Sequence, residues 1–273
     1  MKKRLVVPLI ATAFVLMSCQ LFGGGGEPTA IPPQDTTAPE VPTLPPPTQE
    51  IPTQPVPTQE TPTEEPVSKY FTEEFDDSLS SDWAYWTAAG DSTKYYFDEL
   101  SGRLAFELPA PETYHYVEYE GATYDNVYVE AKFETINSGQ NGIAIICRSS
   151  DDGWYEFRVS TSGVSAGRFN VYRYDTVLKE QNRVPYVNLL TGYESFATLD
   201  LVNGRNKSNV IGMLCNGSEL AFQINGKQVQ GPDKKPLVIE DDTLTDGYFG
   251  VGVMSFSQGE VNVEFDYVGV QEP

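Results

Sequence analysis

Residues Asn141–Ser160 read NGIAIICRSSDDGWYEFRVS, and this stretch decides the fold. Two runs rich in β-branched and aromatic residues, Ile143–Cys147 and Trp154–Val159, flank a polar tip, Ser149-Ser150-Asp151-Asp152-Gly153. Strand-forming runs around such a cluster of turn residues predict a β-hairpin. In the first run both alternating sets are apolar, Ile143, Ile145 and Cys147 on one side and Ala144 and Ile146 on the other. A strand apolar on both faces belongs in the interior of a two-layer structure. The second run alternates, with Tyr155, Phe157 and Val159 on one face and Glu156 and Arg158 on the other.

Outward from this hairpin, residues 70–272 read as short strands separated by turns, with no sustained helical period. Tyr70–Phe75 is a first strand, and a loop carrying Trp83, Tyr85 and Trp86 follows it. Tyr95–Phe97 and Arg103–Leu108 form a hairpin around Glu99–Gly102. Thr113–Tyr119 leads to a turn at Gly121. In Val127–Phe133 the residues Val127, Val129, Ala131 and Phe133 point inward, and Tyr128, Glu130 and Lys132 point outward. Phe169–Tyr174 is a further strand, and Val177–Ala197 reads as loop with one short strand. Asn209–Cys215 and Leu220–Ile224 turn at Asn216-Gly217, Asn225-Gly226 turns the chain again, and Gly247–Phe256 and Val261–Val270 close the domain. Asn-Gly favours the left-handed dihedrals of a tight turn. The expected fold is all-β, a two-sheet antiparallel jelly-roll sandwich of roughly 200 residues, enough for one core.

The N-terminal quarter differs. Lys2-Lys3-Arg4 precedes Leu5–Met17, an apolar run of 13 residues, where a membrane-spanning helix needs about 20. Residues 1–18 therefore read as a signal peptide. The run ends in Leu16-Met17-Ser18-Cys19, which resembles the bacterial lipobox. That resemblance implies cleavage before Cys19 and its acylation, so that the mature chain is anchored in membrane lipid with its domain facing outside. Residues 19–69 continue as Gly23–Gly26 and then a Pro/Thr/Glu-rich segment in which PTQE occurs at Pro47–Glu50 and Pro57–Glu60. Such a composition forms no packed core and favours extended polyproline II. It reads as a disordered tether on the order of 100 Å long.

The globular part resembles the concanavalin A-like jelly roll, and within it the laminin-G-like and 3-keto-disaccharide hydrolase-type domains of bacterial lipoproteins. The likeness rests on Phe75-Asp76-Asp77 with Trp83, on the Cys-Arg and Trp-Tyr-Glu-Phe pattern within Gly142–Arg158, on Asn209–Gly226, and on Val263–Val270. It implies a disulfide between Cys147 and Cys215, and an exported chain meets the oxidising conditions such a bond requires. Two buried thiols are the alternative. Two cysteines and one histidine do not complete a tetrahedral zinc site.

Formal charge is −21, and −24 once Lys2, Lys3 and Arg4 leave with the leader. A phosphate backbone is repelled by such a chain, so nucleic acid is excluded as a partner. His115, the sole histidine, is the only base available to a catalytic triad, and no G-x-S-x-G elbow accompanies it. It reads instead as a sheet-surface residue. The carboxylates Glu264 and Asp266, and Glu130 and Glu134 with Lys132 between them, read as solvated sheet faces rather than a glycosidase pair. No catalytic residue is assigned. Asp151 and Asp152, and Asp241-Asp242, are candidate oxygen ligands for calcium; no other cofactor is expected.

Exposed aromatic faces beside hydrogen-bonding groups suit sugar rings. The candidates are Trp83, Tyr85, Trp86, Tyr114, Tyr116, Tyr172 and Tyr174, with the tryptophans expected mainly in the core. Arg148, Glu156, Arg158, Tyr172 and Arg173, with Trp86, are expected to line one polar sheet face. The combined expectation is a lipid-anchored, monomeric surface module that binds a glycan or another surface polymer without cleaving it. A glycoside-acting hydrolase and a structural or adhesive domain are the alternatives.

Overall fold

A computed structural model describes residues 68–91, 96–98, 102–257 and 259–273. The leader, Cys19 and nearly all of the tether lie outside the described residues, as does most of the turn expected around Glu99–Gly102. The strands follow in chain order. They begin with β1 Phe71–Glu73, β2 Trp83–Ala89, β3 Tyr96–Asp98, β4 Leu104–Leu108, β5 Thr113–Tyr124 and β6 Val127–Thr135. The central hairpin, β7 Asn141–Ser150 and β8 Gly153–Ser160, leads to β9 Arg168–Asp175, a helical turn α1 Thr176–Glu180, β10 Tyr186–Asn188 and β11 Phe196–Ala197. The chain ends with β12 Lys207–Asn216, β13 Glu219–Ile224, β14 Lys227–Gln228, β15 Val238–Glu240, β16 Gly247–Ser255 and β17 Val261–Gln271.

These strands form two antiparallel sheets. The first runs β14-β13-β12-β6-β17-β4-β3, with β1 also on β17 and β15 on β13; the second runs β10-β9-β8-β7-β16-β5-β2, with β11 on β9. This is the expected jelly-roll sandwich. Period-two alternation places Val127, Val129, Ala131 and Phe133 of the first sheet, and Tyr155, Phe157 and Val159 of the second, in one shared core where each is fully buried. Cys147 of β7 and Cys215 of β12 are joined in a disulfide with α-carbons 6.9 Å apart, so the bond ties one sheet to the other. Asn225 and Gly226 take φ of 50° and 73° at the β13–β14 turn, as a type I′ turn requires.

Four local expectations are corrected. The segment with Trp83 and Trp86 is a strand, β2, paired with β5. Its alternation is hidden because aromatic residues occupy both faces: Trp83 packs in the main core and Trp86 on the outer face. No turn forms at Gly121: β5 runs through it to Tyr124. Val177–Ala197 contains not one but two short strands, preceded by a helical turn whose N-terminus Asp175 caps by accepting from the Leu178 backbone N–H at 3.0 Å. His115 is not on the surface. It is fully buried between the sheets, 3.1 Å from the Thr87 hydroxyl and edge-on to Phe106, and burial lowers its pKa to about 4.

Candidate functional site

The outer face of the second sheet carries a second, smaller apolar cluster: Tyr116, Ala144, Ile146, Trp154, Tyr174 and Met254, with Trp86 and Tyr186 packed against it. Strand register explains how large rings fit there. One cross-strand row runs Asn170, Arg158, Ala144, Gly252, Tyr116, Trp86. Its two middle positions are small, so the rings from either side lie down across them. A Cβ at Gly252 would stand 2.5 Å from the Tyr116 ring. Tyr116 therefore reaches from β5 across β16 and β7 to β8, where its hydroxyl donates to Glu156 Oε2 at 2.7 Å.

Glu156 is the centre of this layer and is fully buried. It also accepts from Trp154 Nε1 at 3.1 Å and from Arg158 Nε at 2.5 Å. Aromatic rings surround the Arg158 guanidinium: Tyr172 at 4.7 Å, Tyr186 at 4.8 Å, Tyr114 at 5.4 Å and Phe256 at 5.7 Å. Such cation–π contacts strengthen when water is excluded. Burial disfavours the charge on Arg158, but the adjacent Glu156 carboxylate outweighs it and holds its pKa well above the ordinary value. Burial, with the Glu156 charge added, likewise raises the pKa of Tyr116, so its hydroxyl stays a donor. Trp154 stacks on Tyr174 with centroids 3.7 Å apart, and Trp86 on Tyr116 at 4.4 Å.

This packed layer leaves a depression at each end of the face. The larger, of about 430 Å³, is bordered by Arg158, Arg168, Asn170, Tyr172, Asn188 and Phe256. Its wall is fixed by Arg168, which donates to the Ser195 hydroxyl at 2.7 Å, and by Asn188, which donates to the Glu194 carbonyl at 3.0 Å. The smaller, of about 230 Å³, is bordered by Trp86, Glu118, Trp154, Tyr174 and Lys179. Burial raises the Glu118 pKa, and Ser149 and Trp86 offset this only in part.

The structure brings Trp86, Glu156, Arg158 and Tyr172 together on this face and separates Arg148 and Arg173 from them. That corrects the expectation of one shared polar face. A bulge after Cys147 gives Arg148 a φ of 52° and turns it to the end of the sheet. There it donates to the Asp125 carbonyl at 2.6 Å and the Leu244 carbonyl at 2.9 Å. Arg173 is odd-numbered on β9, while the face is formed by the even-numbered Tyr172 and Tyr174. It pairs with Asp241 at 2.5 Å instead. Asp151 and Asp152 border a separate depression at the hairpin tip with Asp246, and among the described residues no three His, Cys, Asp or Glu side chains converge as a metal site.

The remaining carboxylates weighed above lie on the outer face of the first sheet, where Arg103 meets Glu264 at 2.8 Å and Lys132 meets Asp266 at 2.6 Å. Glu130 accepts there from Tyr267 at 2.7 Å. Sequence reasoning missed Trp154, Tyr186 and Phe256. Trp154 shares the parity of Glu156 and Arg158 and was open to the same alternation argument. Tyr186 lies on a three-residue strand that no period reveals.

No family model matches the chain, and no curated protein matches it in sequence. Solved structures do. A Bacteroides ovatus glycoside hydrolase family 16 enzyme, solved with the G4G4G3G product, is similar at 12% identity and a TM-score of 0.50, covering 74% of this chain and 99% of that one. The β-glucanase of Bacillus licheniformis is similar at 9% identity and 0.50, covering 76% and 100%. The Bacillus subtilis carbohydrate-binding module CBM66 aligns over 67% of this chain and 91% of its own, at 11% identity and 0.45, too distant to carry an argument. At these identities the likeness is one of fold: the chain is a two-sheet jelly-roll sandwich of the concanavalin A-like type.

Proposed function

We propose that this chain is an exported module, anchored in membrane lipid through Cys19 and raised on residues 19–69, that binds a glycan on the outer face of its second sheet without cleaving it. The observation that carries the binding reading is the aromatic layer around Glu156 and Arg158, with a polar depression at either end. Aromatic walls beside a few fixed polar groups are the usual make-up of a small-molecule site, and 430 Å³ lies within the usual range. Fold neighbours that are glycan-acting proteins support a glycan as the partner class.

One feature favours binding over hydrolysis. Glu156 is engaged by three donors, which commits its carboxylate to accepting hydrogen bonds within the layer rather than to serving as an acid or a nucleophile. A glycan array run beside a hydrolysis screen on the mature protein tests the reading. Retention of at least one glycan, lost in Arg168→Ala and Trp86→Ala, is expected. Sugar release from any glycan would overturn it.

A further inference from the structure

The smaller depression is bordered by a buried carboxylate that the fold satisfies only in part: Ser149 and Trp86 support Glu118, but one of its oxygens is left over. Glu118 is only 8% exposed, its Oε2 accepts no hydrogen bond, and it forms no ion pair among the described residues. A buried carboxylate left in this state destabilises the protein that holds it. Side chains that weaken the fold persist where a ligand needs them. The surroundings indicate which ligand. Trp86, Trp154 and Tyr174 border the same space, and aromatic faces attract cations. One cation already stands at the rim: Lys179 Nζ lies 5.8 Å from the Tyr174 ring centroid, on an exposed side chain free to move aside.

We propose that this depression binds a primary ammonium group, with Glu118 as its counter-ion and Trp86, Trp154 and Tyr174 as its walls. The half-satisfied Glu118 carboxylate selects between cations. A primary ammonium donates hydrogen bonds and completes it, whereas a quaternary ammonium has none to give. The strongly acidic chain draws cations toward it over a longer range. The ligand class follows from joining this site to the glycan-binding reading, on which that step rests: the ammonium is that of an unacetylated amino sugar. Lys179 competes from the rim and sets a threshold for weaker cations.

The test is tryptophan-fluorescence titration of the mature protein at pH 7 with D-glucosamine, N-acetylglucosamine and tetramethylammonium, since two of the three tryptophans border the site. Saturable binding of glucosamine is expected, with the other two at least tenfold weaker. Glu118→Gln should lose that preference while its Tm holds or rises, because the change removes a buried charge that is compensated only in part. Lys179→Met should bind glucosamine more tightly. Equal affinity for glucosamine and N-acetylglucosamine refutes the site, and so does an unaltered preference in Glu118→Gln. A lower Tm in that variant with binding unchanged would make Glu118 a purely structural residue. Retention of neutral glycans on the array with no response to glucosamine removes this inference and leaves the glycan reading standing. Glucosamine binding with no glycan retained does the reverse, leaving an amine site.

Discussion

Glu156→Ala is the most informative perturbation of the fold around the candidate site. The change strips three donors of their acceptor at once: the Tyr116 hydroxyl, Trp154 Nε1 and Arg158 Nε. It also leaves the Arg158 guanidinium, 6% exposed, without its counter-charge. Breaking a buried ion pair from one side costs about 3–5 kcal/mol. Some of that is recovered because the aromatic rings around Arg158 still attract its charge, which places the expectation near the lower end, at about 3 kcal/mol. For a domain of this size that lowers Tm by roughly 6–12 °C. The double change Glu156→Leu with Arg158→Met removes both charges and should cost less than Glu156→Ala alone, since apolar replacement of a buried pair is often close to neutral. Urea unfolding followed by tryptophan fluorescence gives both values. A loss under about 1 kcal/mol for Glu156→Ala, or a double change as costly as its parts added together, would show that the pair does not organise this face.

Three further outcomes are expected. The Cys147–Cys215 bond closes a loop 68 residues apart, so replacing both cysteines with serine should cost roughly 4 kcal/mol on the chain-entropy account, and a thiol assay on denatured, unreduced mature protein should find neither cysteine free. His115, held neutral by burial to about pH 4, binds its proton in the unfolded chain from about pH 6.5. Stability therefore falls as pH drops through that window, by about 3 kcal/mol at most, and the single histidine resonance should not titrate above pH 5; a midpoint near 6.5 contradicts its burial. Cys19→Ala should release the protein into the medium, and continued membrane retention of the variant rules out the lipid anchor.

The architecture was legible because each interior strand announces itself by parity. Val127–Phe133 and Trp154–Val159 alternate cleanly, and Ile143–Cys147 is apolar on both sides, which is what a strand between a main core and a second cluster requires. The same parity argument was right for Glu156 and Arg158 and failed at Arg148 and Arg173 for two separate reasons. A bulge breaks the count at Arg148. Arg173 has the wrong parity outright, and grouping it with Tyr172 overrode the rule. The apparent surface status of Glu156 and Arg158 also misled. They point away from the main core, yet they are buried, because Ala144 and Gly252 allow rings from distant strands to cover them. Coverage of that kind depends on which residues face one another across several strands, and a linear sequence does not display it. The same holds for Glu118, whose partial satisfaction is visible only once its neighbours are known.

The disulfide has a consequence for proteolysis. The stretch between β11 and β12 is the natural place for a first cut: Leu199 is fully exposed and Val202 nearly half so. That stretch lies inside the loop closed by Cys147 and Cys215. A nick there leaves an N-terminal piece carrying β1 to β11 and a C-terminal piece carrying β12 to β17, still joined by a covalent bond between the sheets. On a gel the nicked protein keeps its full mass until a reductant is added. The C-terminal piece stays attached to the N-terminal one, so a single cut neither releases half of the sandwich nor separates β16 from the β5 and β7 neighbours with which it builds the aromatic face.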